Sequence, residues 1–293
     1  MRQAALILFF LIPALGLAQG QDSTTWARDL MVIAEMLPGR YDNANQVYFD
    51  SRTGVAEGLR HRPLHLVVSA DEARDSAFTL EAFWAGAAEP AWRASASLAL
   101  DDAAGLVTMS VTRDAQSCSY AWRREAAQFR ATAAGECADP LFAGMTLSTP
   151  QLWLTGASEP DGQRALDYVL HRTRPFECYV DVPGVGGGRD LPYRRYEGFK
   201  IHDRGGQFWF TTEDENPREL GVTLFQVDWP INNYEGIFTR DALVIYLNEM
   251  QDGQRINHGY SFTVPDADRV GINLKWALAF CYQVAGKDQR PYM

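Results

Sequence analysis

The sequence predicts a mainly β protein, a sandwich or a barrel, with one helix in front of it. Two patterns carry that reading. Trp92, Ala94, Ala96, Leu98 and Leu100 alternate with Arg93, Ser95, Ser97 and Ala99, and Val107, Met109 and Val111 alternate with Thr108, Ser110 and Thr112. A period of two places each set on one face of a strand. Short apolar segments bounded by turn residues then follow almost to the C-terminus, which is the spacing of all-β domains. The chain has 293 residues, 46% hydrophobic and 22% charged, enough apolar material for one large β domain or two smaller ones.

Residues 1–18 have the form of a secretory signal peptide. Arg2 supplies the positive start, Ala4 to Leu15 the apolar core, and Gly16-Leu17-Ala18 the small residues before a cut at Gln19. The apolar run is shorter than the ~20 residues that span a bilayer, and no later stretch of the chain approaches that length. A helix is expected from Asp22 to Pro38, with Ser23 or Thr24 as cap. Trp26, Leu30, Ile33, Ala34 and Leu37 recur at helical spacing and Pro38-Gly39 ends the run. Strands are expected at Phe78–Trp84, Trp92–Leu100, Gly105–Thr112, around Cys118, Tyr120 and Trp122, at Gln128–Thr132 and at Met145–Leu154. Arg172 to Pro175 leads into a second half with strands at Phe176–Val182, Tyr196–His202, Gln207–Thr212, Leu220–Trp229, Ala242–Asn248, Ile256–Thr263 and Ile272–Val284. In the last of these, Ile272, Leu274, Trp276, Leu278 and Phe280 read as one core face. The organisation is therefore a first domain over 22–172 and a second mainly-β domain over 173–293.

Composition and motifs remove several functions. The chain carries 27 basic and 37 acidic residues, a net charge of −10. That balance argues against nucleic acid and against an electrostatic grip on anionic lipid. The glycine run after Pro183 lacks the Lys-Ser/Thr of a phosphate loop and reads as a flexible loop. Pro63 between His61 and His65 rules out a zincin helix, and no G-x-S-x-G elbow is present. Asp266-Ala267-Asp268 lacks the rest of a calcium loop. Export makes Cys118, Cys137, Cys178 and Cys281 disulfide candidates, paired Cys118–Cys137 and Cys178–Cys281, because each pair sits within one half. No C-x-x-C or nearby His supports zinc, and no cofactor is called for.

Three stretches carry a family resemblance. The first is Leu37-Pro38-Gly39-Arg40-Tyr41-Asp42-Asn43-Ala44-Asn45-Gln46. The second is Pro90-Ala91-Trp92-Arg93-Ala94-Ser95. The third runs from Cys118 through Tyr120, Trp122-Arg123-Arg124, Phe129 and Gly135 to Cys137. In order and spacing, residues 26 to 155 resemble the T-type phycobiliprotein lyases, the CpcT/CpeT family. Ser95 stands where that family has a second Arg, and the Tyr-x-x-Gln expected near Glu81-Ala82-Phe83-Trp84 is missing. The resemblance implies an antiparallel lipocalin-like β-barrel that follows the N-terminal helix and holds a ligand. It implies a chromophore lyase that binds an open-chain tetrapyrrole as substrate and assists its thioether attachment to a cysteine of an acceptor protein. The alternative is an exported, non-catalytic barrel that binds a small apolar ligand or a protein partner.

A tetrapyrrole needs a cation for its propionates, acceptors for its pyrrole N–H groups and aromatic walls. Arg93 is the candidate cation if its face of the strand points inward; otherwise Trp92, Ala96 and Leu98 face the core and Arg93 is solvated. Trp92 is the candidate wall. Glu81 pairs with pyrrole nitrogens or lies on a solvated surface. Asn43 and Gln46 bind the ligand or satisfy backbone groups of the turn after the helix. Tyr120 and Trp122 read as core. No catalytic residue is assigned.

Overall fold

A computed structural model describes residues 23–84, 87, 89–135, 137, 140–158, 165–183, 192–214, 216–233 and 236–284. Residues 1–22, where a signal peptide is expected, and most of the glycine run lie outside the described residues. The expected helix forms as α1 (Ser23–Met36). The first ten strands are β1 (Gly39–Asp42), β2 (Leu64–Ala70), β3 (Ala77–Trp84), β4 (Trp92–Asp101), β5 (Leu106–Arg113), β6 (Gln116–Glu125), β7 (Gln128–Ala134), β8 (Gly144–Leu147), β9 (Gln151–Ser158) and β10 (Ala165–Arg172). They run as an antiparallel meander from β2 to β10, and β1 closes the circle by pairing with both β2 and β10. A short helix, α2 (Ala44–Arg52), follows β1.

Ten strands enclose a wider interior than the eight that side chains fill easily. Here α1 and the residue after it help to fill it: Ile33, Met36 and Leu37 join Tyr41, Tyr120, Trp122, Phe142 and Tyr168 in one buried core. The Tyr120 hydroxyl donates to the Phe142 carbonyl (2.9 Å) and the Tyr41 hydroxyl to the Leu37 carbonyl (2.9 Å), so these rings bury their polar ends with partners. Arg124 holds α1 in place through Asp29 (2.6 Å). Gly105, at φ +61°, turns β4 into β5 under the Trp26 ring, where an added Cβ would lie 2.4 Å from that ring. The inward row of β4 is Ala94, Ala96 and Leu98, so Arg93, Ser95 and Ser97 face out.

The second half is a sandwich. One sheet has the order β12 (Tyr193–His202), β11 (Pro175–Pro183), β18 (Ala277–Gln283), β17 (Arg269–Leu274). The other has the order β13 (Arg204–Thr211), β14 (Glu219–Asn233), β15 (Gly236–Gln251), β16 (Gln254–Thr263). Their inner faces share a separate core that includes Phe176 and Val180 from the first sheet and Leu220, Val222, Leu224 and Ile245 from the second.

Both disulfides form as expected. Cys118–Cys137 (Cα–Cα 5.4 Å) ties the barrel wall to the loop after β7, and Cys178–Cys281 (4.1 Å) joins directly opposed residues of β11 and β18. Two disulfides point to an oxidising, exported environment. Among the described residues no helix is long and apolar enough to cross a membrane.

The structure corrects several expected elements. Met145–Leu154 is two strands, β8 and β9, because Ser148–Pro150 make a turn. Ile272–Val284 is likewise β17 and β18. That turn flips the facing, so Ala277, Ala279 and Cys281 are buried while Leu278 and Phe280 lie on the opposite face. The strands β1, β2 and β10 and the helix α2 had no expected counterpart.

Candidate functional site

Helix α2 begins because Asp42 accepts the Ala44 N–H (3.0 Å), which fills one orphan donor of the first turn. Its first turn presents Asn45 and its second Tyr48 toward the sandwich. The facing surface is the outer side of the β13–β16 sheet. Leu220, Val222 and Leu224 point into the sandwich core, so alternation sends Thr223, Phe225 and Val227 outward. Opposite Thr223 in register stands Tyr246, and opposite Asn248 stands Asn257.

These groups enclose a cleft of about 450 Å³. Tyr48, Phe225, Val227 and Tyr246 give it apolar and aromatic walls. Asn45, Asp228, Asn248, Asn257, Thr223 and Arg255 give it a polar rim. Asn45 donates to the Asp228 carboxylate and so joins α2 to the sheet across 183 residues of sequence. Arg255 donates to the Thr223 hydroxyl (2.8 Å) and Asn248 does so more weakly (3.3 Å). Asn248 is 1% exposed, yet its side-chain oxygen has no hydrogen-bond partner, which leaves a spare acceptor at the cleft wall. Burial, then the hydrogen bond and charge of Asp241, push the Asp228 carboxyl up to about 6. Burial also raises the Tyr246 hydroxyl.

The residues singled out in the sequence fall in three separate places. Arg93 lies on the outer barrel wall with its side chain 64% exposed. It is held by Glu81, its direct cross-strand neighbour, through Nε at 2.8 Å. Trp92, at the start of β4, packs partly buried against the barrel core. Asn43 is buried and serves the backbone: its amide donates to the Arg62 carbonyl (3.0 Å) and its oxygen accepts the Leu64 N–H (2.8 Å). Gln46 ties α2 to β10, donating to the Asp167 carbonyl (3.0 Å) and accepting the Val169 N–H (3.3 Å). It also meets His61, whose other ring nitrogen reaches Asp50 at 2.7 Å.

Asn45 is the residue of the first motif that reaches the cleft. Sequence reasoning passed over it because its partners are strand residues from the other half. All four cysteines are in disulfides, so no thiol is free. Among the described residues no cluster of three or more His, Cys, Asp or Glu is arranged to hold a metal ion.

Fold and cleft together define a class: a disulfide-braced β-barrel joined to a β-sandwich, with a small-molecule-sized cleft where the two meet. No protein-family model matches the chain, and no curated protein or solved structure matches it either.

Proposed function

We propose that this is an exported, periplasmic or secreted binding protein that holds a small ligand non-catalytically in the cleft between α2 and the β13–β16 sheet. The observation that carries the reading is the cleft's composition. Aromatic walls and converging amide and hydroxyl groups suit a flat ligand with a polar edge. The barrel interior, by contrast, is occupied by its own side chains and by α1. The barrel then acts as a scaffold that presents α2.

A second reading is the T-type lyase. The closed ten-strand antiparallel barrel behind a helix favours it, because it spans the residues that carry the resemblance and suits a lipocalin-like ancestry. On that reading the ligand is an open-chain tetrapyrrole and the partner an acceptor protein cysteine.

One experiment separates the two. The mature protein, disulfides intact, is titrated with phycocyanobilin, biliverdin and haem, followed by absorbance and fluorescence. Saturable binding of at least one flat probe, weakened about tenfold by Tyr48→Ala and unchanged by Arg93→Ala, supports the cleft. Binding of phycocyanobilin alone, insensitive to Tyr48→Ala, together with transfer to an apo-phycobiliprotein, supports the lyase and overturns the cleft. No saturable binding of any probe removes the bilin reading and the proposal of a flat-ligand cleft together.

A further inference from the structure

A second cavity, of about 400 Å³, lies elsewhere along the seam between the two halves. The barrel contributes Arg40 from β1, His65 and Val67 from β2 and Phe83 from β3. The sandwich contributes His202 and Arg204 with the backbone that follows them. Among the described residues this lining holds two guanidinium groups and two imidazoles and no carboxylate, in a protein whose net charge is −10. Such a concentration of basic groups runs against the charge of the whole molecule, so random placement explains it poorly.

Two observations show spare capacity to bind an anion. Arg204 is only 7% exposed, and its Nε and Nη1 make no hydrogen bond; its remaining nitrogen reaches only the His171 ring, at 3.3 Å. A buried donor left without an acceptor is costly, and an anion is the group that would complete it. Arg40, in addition, forms no ion pair among the described residues. The two imidazoles lie close, with ring centroids 6.5 Å apart.

We propose that this cavity binds a phosphate-type oxyanion, with Arg40, His65, His202 and Arg204 as its donors. Val67 and Phe83 give it an apolar side that would take the organic part of a phosphomonoester. The histidines fit this role in a second way. Burial, then the Arg40 charge, lowers the His65 and His202 rings, His202 to about 4. Around this cluster stand Asp42 on β1, Asp203, Asp228 on β14 and Arg174, whose charges act on Arg204, and His171 on β10, whose ring Arg204 meets. An anion in the cavity supplies the negative charge that lets both rings hold protons nearer neutrality.

The test uses the full mature chain at pH 6 with inorganic phosphate, sulfate and phenyl phosphate as probes. Isothermal calorimetry reads binding and NMR reads the histidine titrations. The expected result is saturable binding of phosphate and sulfate, weakened at least tenfold by Arg40→Gln, with the His202 midpoint moving upward in phosphate. Arg40 is exposed, so the variant keeps its fold, which circular dichroism checks; His202→Gln is the second variant and is expected to weaken binding as well. Tighter binding of phenyl phosphate identifies a phosphomonoester as the ligand, and equal binding identifies the free ion; either supports the site. Tyr48→Ala leaves this binding unchanged, so failure of the other cleft does not count against it. Absence of saturable binding, or affinity unaltered in both Arg40→Gln and His202→Gln, overturns the proposal.

Discussion

Asp42 is 1% exposed, with one oxygen on the Ala44 N–H and the other without a partner. Burial raises its carboxyl from 3.8 to about 7, while the Ala44 hydrogen bond and the Arg204 charge pull the other way. Its folded-state value lies above its unfolded one, so the folded protein binds the extra proton between those limits. Unfolding free energy therefore falls as pH rises through that window, and the penalty is complete above the folded value. Relative to Asp42→Asn, the wild type should lose about 1–3 kcal/mol of stability between pH 5 and pH 8. Urea unfolding at both pH values measures this, and parallel profiles for the two proteins would count against it. Asn43, next in sequence, shows how far single residues were legible. An amide just past a helix stop is suited to satisfying turn backbone, and it does so. Arg93 was open between two faces because alternation gives the period of a strand but not which side is inside.

Among elements, the strands with clean alternation were legible and the short ones were not. β1 has four residues, and α2 has nine with few apolar side chains, too few to display a 3.6-residue period. β10 forms because β1 and β9 flank it, and Arg172 at its end donates to the Pro38 (2.6 Å) and Thr149 (3.1 Å) carbonyls. That long-range closure has no local signal. The sandwich depends similarly on one carboxylate. Glu249 on β15 receives both Arg218 nitrogens, at 2.8 and 2.7 Å, and meets the His258 ring of β16 at 2.6 Å. Arg218 also lies 4.1 Å over the Trp276 ring of the β17–β18 turn. The Arg218 hydrogen bonds hold Glu249 down at about 2, against an ordinary 4.5. Its value is lowered on folding, so its contribution is present above the unfolded value and is lost as pH falls toward 2. Glu249→Gln should cost about 2–4 kcal/mol near pH 7, because it leaves Arg218 without its charge partner. The cost should shrink as pH drops from about 4.5 to about 2. Denaturant unfolding at neutral and acid pH measures both, and a cost that stays constant with pH would discard the assignment.

At the scale of the whole molecule, the barrel and the sandwich keep separate cores and meet through polar contacts. Across the seam Asn45 donates to the Asp228 carboxylate and Arg204 meets the His171 ring (3.3 Å), while the Thr173 N–H donates to the Arg40 carbonyl (2.8 Å). Both cavities lie along this seam, so ligand binding there should depend on how the halves are held, more than on either core. Each half also contains its own disulfide. Cys178–Cys281 encloses 103 residues of separation and Cys118–Cys137 only 19. Restriction of the unfolded chain grows with loop length, so removing the first should cost about 5 kcal/mol and the second about 3 kcal/mol. Because the cores are separate, each loss should fall on its own half. Replacing Cys178 and Cys281 with Ala is expected to lower a sandwich transition while the barrel transition stays in place, and replacing Cys118 and Cys137 is expected to do the reverse. Calorimetry resolves the two transitions, and tryptophan fluorescence adds a second probe through Trp122 in the barrel core and Trp209 and Trp276 in the sandwich. A single transition lowered by both pairs of substitutions would mean that the seam couples the halves into one cooperative unit. In that case the Asn45–Asp228 and Arg204–His171 contacts carry more of the molecule's stability than their polar character implies.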